Sequence, residues 1–282
     1  MPITYTPIRY PGGKSKLYPI VDAVIEASGL TGCTYAEAYC GGAGLAVKLL
    51  LRGRVSRIVL NDVDPAVYSM WDAIVNHADE LCSFLADVPL DIDEWKSMRD
   101  VYETAKAPSL ELGKASLYLN RTNRSGILRG GPIGGMSQTG KYKLGVRFNR
   151  GGLCEKIMAI ASRADDIELH NEDACDFIDG TLSRPRRVFA NFDPPYVVKG
   201  PGLYENHYTV EDHRAVAEKI TSCSFPWVVT YDDSALVRGL YKGFDQYSVS
   251  VGYSAASVRV GSEILIAGPG VTVPGSLGLR AA

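Results

Sequence analysis

Residues 191–196 read Asn-Phe-Asp-Pro-Pro-Tyr and follow directly on Arg187-Val-Phe-Ala, a run that is apolar after its first residue. This order puts a carboxylate (Asp193), two rigid prolines and an aromatic ring (Tyr196) at the carboxyl end of a buried strand. Ligands bind at that end in an open α/β sheet. Proline fixes φ and has no amide hydrogen, so Pro194 offers only a carbonyl acceptor on a stiff backbone. A rim of acceptors beside a stacking ring suits a planar base whose exocyclic amine is to be held and polarised. The same letters also make an ordinary turn closing a strand, and so short a motif decides nothing alone.

A second constellation lies upstream. Tyr35-Ala-Glu-Ala-Tyr-Cys-Gly-Gly-Ala-Gly44 reads as strand, glycine-rich turn and helix. Glycine lets backbone approach a ligand closely, and a helix N-terminus attracts a carboxylate. Glu37 ends the strand. Asp62 follows Gly41 by 21 positions, after the next strand. An acid about 20 residues beyond such a turn is placed to take ribose hydroxyls. Asp173 and Asp193 follow two further strand candidates, so three successive strand ends carry acids, each of which could instead cap a helix or form a turn. Near the start stands Arg9-Tyr-Pro-Gly-Gly-Lys-Ser-Lys16. A phosphate-binding P-loop would need glycine where Ile8 stands and a preceding strand, so nucleotide triphosphate hydrolysis is excluded.

The elements that position these residues alternate. An amphipathic helix over Leu17–Ile25, a strand within 33–40, a buried helix over 43–51, a strand at 57–61 and a helix at 64–76 with Pro65 in its first turn predict a doubly wound α/β sheet. The alternation then stops. A helix behind Asp91 and Asp93, a second over 113–120, a loop with six glycines within 126–140, a strand or hairpin arm at 141–148 and a further helix predict an inserted domain over 79–165. It resumes with strands at 167–170, 187–192 and 226–231 and a final hairpin at 244–252 and 258–267. The expected division is a discontinuous catalytic domain (1–78 and 166–270), the insert, and a frayed tail (271–282).

Net charge over the 282 residues is −2, yet Leu112–Cys154 contains no acid and eight lysines and arginines. A basic segment in an otherwise acidic chain is the electrostatic footprint of a nucleic-acid surface. No apolar run approaches the ~20 residues of a membrane span. Six cysteines without a Cys-x-x-Cys pair point to a reducing compartment. The four histidines (77, 170, 207, 213) are scattered, so no metal is expected. Asn123-Arg-Ser125 matches a glycosylation pattern by chance.

In order along the chain, Tyr-Pro-Gly-Gly-Lys-Ser, Glu-Ala-Tyr-Cys-Gly-Gly-Ala-Gly, Asn-Asp-Val-Asp, an insert with Leu117-Tyr-Leu-Asn-Arg-Thr-Asn-Arg-Ser-Gly126 and Arg147-Phe-Asn149, and Asp-Pro-Pro-Tyr resemble the Dam-type adenine-specific DNA methylases, especially phage and plasmid-borne members. The resemblance spans about residues 8–267. Ala43 and Ala38 depart from it, standing where the family commonly has Gly and Pro. It implies a mostly parallel seven-stranded methyltransferase sheet with an inserted helical DNA-recognition domain carrying a basic loop or hairpin. It implies methyl transfer from S-adenosylmethionine to the 6-amino group of adenine in duplex DNA. Tyr10, Lys14, Asp62 and Asp193 are then implied to contact the cofactor, with Glu37, Gly41 and Asp173 beside them. Asp193, Pro194 and Tyr196 would hold the target base. Arg121, Asn123, Arg124, Arg129, Lys141, Lys143 and Arg147 are the DNA-binding candidates. The location expected is the cytoplasm of a prokaryote or phage-infected cell, with a cognate restriction endonuclease as a conceivable partner. Methylation of the cytosine 4-amino group, RNA methylation, or an inactive DNA-binding relative are the alternatives.

Overall fold

The structure is a computed structural model; it describes residues 4–184, 187–197, 208–255 and 257–282, with backbone alone at 250–255 and 257–262. Along the chain α1 (Tyr18–Ala27) precedes β1 (Thr34–Glu37), α2 (Gly44–Leu51), β2 (Arg57–Asn61) and α3 (Pro65–Asn76). Four helices follow without a strand: α4 (Ala78–Asp87), α5 (Ile92–Thr104), α6 (Leu110–Thr122) and α7 (Arg150–Ala161). Alternation resumes with β3 (Ile167–His170), α8 (Ala174–Phe177), β4 (Val188–Phe192), α9 (Val210–Ser222), β5 (Trp227–Asp232) and α10 (Ala235–Leu240). A hairpin of β6 (Asp245–Ala255) and β7 (Ser257–Ala267) comes next, and β8 (Arg280–Ala281) ends the chain.

All eight strands form one sheet in the order β3-β2-β1-β4-β5-β7-β6-β8. The first five are parallel, and β7, β6 and β8 join antiparallel. Period-two alternation sorts the strand side chains. Tyr35, Ile58, Leu60, Phe189, Val228 and Leu265 pack with α1, α2 and α3. Ala36, Val59, Val188, Ala190, Val229 and Ile266 pack with α8, α9 and α10 on the other face. With both faces covered, the central strands read as continuous apolar runs rather than half-polar ones.

Two expectations change here. The sheet has eight strands, not seven, because the tail is not frayed. Val271, Val273, Leu277 and Leu279 pack on the core, and Arg280 and Ala281 pair with β6, covering that part of its edge. The stretch 141–148 is not a strand: Leu144–Arg147 forms a 3-10 turn. Leu144 and Phe148 are buried while Val146 between them is exposed, which breaks the period-two pattern a strand requires.

The helices between β2 and β3 do not make a core of their own. Leu81, Leu85, Trp95, Tyr118, Phe148 and Ile157 belong to the same buried cluster as Ile58 and Leu60 of the sheet. Helix α3 is the shared wall, which explains why its buried residues lie all round it. Asp64 caps its start, accepting from the Ala66 amide, and Pro65 stands in the first turn. Gly113 of α6 permits the crossing, since a Cβ there would lie 2.3 Å from the Ser69 carbonyl oxygen.

Candidate active site

The carboxyl ends of β1, β2 and β4 open onto one cleft. Tyr10, Lys14, Glu37, Asp62 and Asp193 all line it, together with Gly42, Ala43, Gly44 and Asn191. The Asp-Pro-Pro-Tyr segment and the glycine turn, over 140 residues apart in sequence, therefore face the same space.

The turn is built for close approach. Gly41 has φ +45°, and a Cβ there would meet the Tyr10 ring at 2.7 Å; one on Gly42 would meet Tyr10 Cβ at 2.8 Å. The segment from Arg9 to Lys14 thus lies directly on the turn. Gly41 donates its amide to Asp62 Oδ2 at 2.9 Å, and its carbonyl accepts from Trp71 Nε1 at 2.8 Å. Asp62 Oδ1 accepts the Asp64 amide at 3.1 Å. Burial pushes the Asp62 carboxyl up to about 7 despite those two amides. Glu37, which accepts from Tyr35 Oη at 3.1 Å, is pushed up to about 8 by burial, with the Asp193 charge adding to it.

Asp193 is half-buried at the tip of β4. Its Oδ1 accepts from Thr230 Oγ1 of β5 at 2.9 Å and lies 3.2 Å from Lys14 Nζ. Burial raises its carboxyl above the usual range; Lys14 and Thr230 pull it down, and Glu263 pushes it up. Glu263, fully buried on β7, pairs with Lys14 Nζ through Oε1 at 3.3 Å and accepts from Tyr196 Oη at 2.5 Å. Lys14 also donates to Tyr196 Oη, and its ammonium lies 4.7 Å from the centroid of that ring. Tyr196 is 7% exposed, its ring 6.4 Å from that of Tyr231. Pro194 is buried; neither it nor Tyr196 is a lining residue of the cleft, whereas Pro195 is. Asp173 is exposed, lies outside the lining and caps α8, accepting from the Cys175 amide at 2.8 Å. It stands three residues beyond the end of β3, and the cap holds it at α8 instead of at the strand tip.

The basic segment divides into inward and outward members. Asn123 is 0% exposed. Its amide donates to the Ile127 and Leu128 carbonyls at 2.9 and 2.8 Å and accepts from Trp95 Nε1 at 2.7 Å. In this structure it presents nothing to a DNA surface. Arg121 is half-buried and donates to the Arg147 and Pro7 carbonyls. Burial, with Arg9 and Arg147 nearby, lowers it to about 10. Arg124, Arg129, Lys141, Lys143 and Arg147 are exposed.

A model of the D12 class N6 adenine-specific DNA methyltransferases matches residues 10–254. The chain belongs to that family. Adenine N6, rather than cytosine N4, is thereby the amine methylated by this DNA methyltransferase, and DNA is its substrate. A search of curated proteins gave no match. Among solved structures the methyltransferase is similar to the rRNA methyltransferase aviRa from Streptomyces viridochromogenes (14% identity over 93% of this chain and 86% of that one, TM-score 0.39). It is also similar to a conserved hypothetical protein from Streptococcus pyogenes (12% identity, 89% and 96%, TM-score 0.37). At those scores the likenesses bear on neither substrate nor mechanism.

Sequence reasoning missed Glu263, Thr230 and Asn191. Asn191 is the lone polar residue of β4, which was an available signal; Thr230 and Glu263 share their strands with other polar residues and carried none as distinct. Among the described residues no group of three or more His, Cys, Asp or Glu side chains could hold a metal, and no helix is long and apolar enough to cross a membrane. His207 lies outside the described residues.

Proposed function

We propose that the cleft binds S-adenosylmethionine and that Asp193, Pro194 and Tyr196 receive an adenine extruded from duplex DNA. The observation that carries this reading is that Asp193 and the glycine turn line one cleft. The donor set suits such a cofactor. The Gly41–Gly44 turn opens the N-terminus of α2, where backbone amides favour a carboxylate. Asp62 retains lone pairs for a sugar hydroxyl beyond the two amides it accepts. Asn191 lines the same wall, and its buried Oδ1 has no hydrogen-bond partner among the described residues. Tyr10 and Lys14 close the cleft from the N-terminal side, with Glu37 on its floor.

The bound cofactor supplies a methyl group on a positively charged sulfur, open to direct displacement by an amine. The protein's part is placement and charge. Asp193 and the Pro194 carbonyl accept the two hydrogens of the adenine amine, drawing its lone pair out of ring conjugation. Asp193, whose charged form Lys14 favours, takes the proton that the methylated nitrogen gives up. The Tyr196 ring, buried behind the cleft in the free protein, has to be uncovered as the base enters; stacking on it is then worth ~1–3 kcal/mol against the few kcal/mol of extrusion. Residues 79–165 serve as the DNA-recognition unit. Arg124, Arg129, Lys141, Lys143 and Arg147 face the phosphates and base edges, while Arg121 and Asn123 hold that surface in shape.

The test is incubation of the purified protein with mixed-sequence DNA and methyl-labelled cofactor, followed by digestion to nucleosides. Label is expected in N6-methyladenosine-type deoxynucleoside, and Asp193→Ala should bind cofactor yet transfer nothing. Transfer by Asp193→Ala at the wild-type rate would remove Asp193 from the reaction.

A further inference from the structure

Glu263 belongs to none of the motifs that frame the cleft and is not among its lining residues. It is nevertheless a fully buried carboxylate, a costly group to bury unless paired and hydrogen-bonded. Its partners are two side chains that flank Asp193. The Lys14 ammonium lies 3.3 and 3.4 Å from its two oxygens, and the Tyr196 hydroxyl donates to Oε1 at 2.5 Å. Lys14 is thus shared almost evenly, 3.2 Å from Asp193 on one side and 3.3 Å from Glu263 on the other.

We propose that Glu263 is a positioning residue for methyl transfer: by tethering the Lys14 ammonium and the Tyr196 hydroxyl, it sets the orientation of the Asp193 carboxylate and keeps it a strong acceptor for the target amine. This rests on the reading of Asp193 as that acceptor. Thr230 and Lys14 both engage Asp193 Oδ1, which fixes the plane of the carboxylate and leaves Oδ2 for the incoming amine. Without the Glu263 charge, the ammonium collapses onto Asp193 alone and competes for it. Tyr196 loses the Glu263 acceptor in the same step.

The groups around Asp193 give the test a sign. Lys14 faces it from the N-terminal segment, Glu263 from β7, Glu37 and Tyr35 from β1, and Thr230 and Tyr231 from β5. Burial raises the Asp193 carboxyl, Lys14 lowers it and Glu263 raises it further. Activity that requires ionised Asp193 has an acid limb that follows this carboxyl. Glu263→Gln should move the limb to lower pH, and Lys14→Met should move it to higher pH. A purely structural defect has no reason to give opposite movements.

The experiment measures kcat and kcat/KM against pH on plasmid DNA from a methylase-free host for wild type, Glu263→Gln, Glu263→Asp, Lys14→Met and Asp193→Asn, with circular dichroism to verify folding. Glu263→Gln is expected to lower kcat about tenfold, the scale of one charge-assisted hydrogen bond, with KM for DNA little changed. Glu263→Asp, which keeps the charge but shortens the tether, should lower kcat while leaving the limb in place; it carries the test if the glutamine variant does not fold. A wild-type kcat in either folded variant, or a limb that moves to higher pH in Glu263→Gln, overturns the proposal. If Asp193→Asn retains activity, the underlying reading of Asp193 fails instead.

Discussion

Asn120 is the residue whose removal should cost most relative to its size. It is 1% exposed and makes three hydrogen bonds to backbone. Oδ1 accepts the Arg9 amide at 2.8 Å, and Nδ2 donates to the Arg9 carbonyl at 2.7 Å and the Gly126 carbonyl at 2.9 Å. One side chain thereby ties the N-terminal segment to α6 and to the start of the glycine-rich loop. Asn120→Ala leaves one amide and two carbonyls without these partners. At about 1 kcal/mol each, the low end for orphaned buried groups because Arg9 is only half-buried, the loss is roughly 3 kcal/mol. In a chain of this size that lowers the melting temperature by about 5 °C. The effect reaches the site, because Arg9 leads directly into Tyr10 and Lys14, so binding of S-adenosylhomocysteine measured by calorimetry should weaken as well. Asn120→Asp keeps the acceptor and loses both donors, and should fall between. A variant that melts within 1 °C of wild type and binds the product cofactor with unchanged affinity would refute the argument that this clamp sets the position of the cleft wall.

Gly113→Ala drives a Cβ to 2.3 Å from the Ser69 carbonyl and 2.9 Å from Ala73 Cβ, forcing α3 and α6 apart; about 1–3 kcal/mol of stability should go, read from the thermal transition. Glu37 and Asp62 have carboxyls raised to about 8 and about 7. The folded state then holds protons that the unfolded chain releases near pH 4, so their contribution to stability is full below that pH and is lost as pH rises towards 8. Glu37→Gln should therefore flatten the decline of melting temperature between pH 5 and 8 in cofactor-free protein; parallel curves would contradict it. Arg124→Ala and Lys141→Ala should each reduce the slope of log affinity for DNA against log salt by about 1, whereas Asn123→Ala should act through stability, its side chain being fully buried.

The sheet was legible because its signals are local. Apolar runs closed by Asp62, Asp193 and the glycine turn fix strand ends, and Asp64 with Pro65 fixes a helix start at residue 65 as observed. The insert was less legible, because basic charge reports net composition and not direction. What it leaves out is burial, and α6 is packed on almost every side. Ser116, Leu119, Asn120 and Asn123 lie at i, i+3, i+4 and i+7, and all are at most 1% exposed. Asn120 and Asn123 thus belong to the packed face of α6 and its continuation, and their amides bind carbonyls inside the protein. Arg121 stands between them in sequence, yet its guanidinium also ends on backbone carbonyls. A short polar stretch in a basic loop can build the surface instead of forming it.

Glu263 escaped notice for a different reason. The rule that ligands lie at the carboxyl ends of strands holds for β1, β2, β4 and β5, which are parallel. Strand β7 runs the other way, and its pairing sets Glu263 opposite Asp232, the last residue of β5. An antiparallel strand brings to the functional rim the residue that precedes its buried apolar stretch, here Ile264–Ala267, and not the one that follows it. The acid that anchors Lys14 therefore sits where a search of carboxyl ends does not look. The same geometry accounts for its burial: it is flanked by β5 and β6 in the sheet and capped by Lys14 and Tyr196.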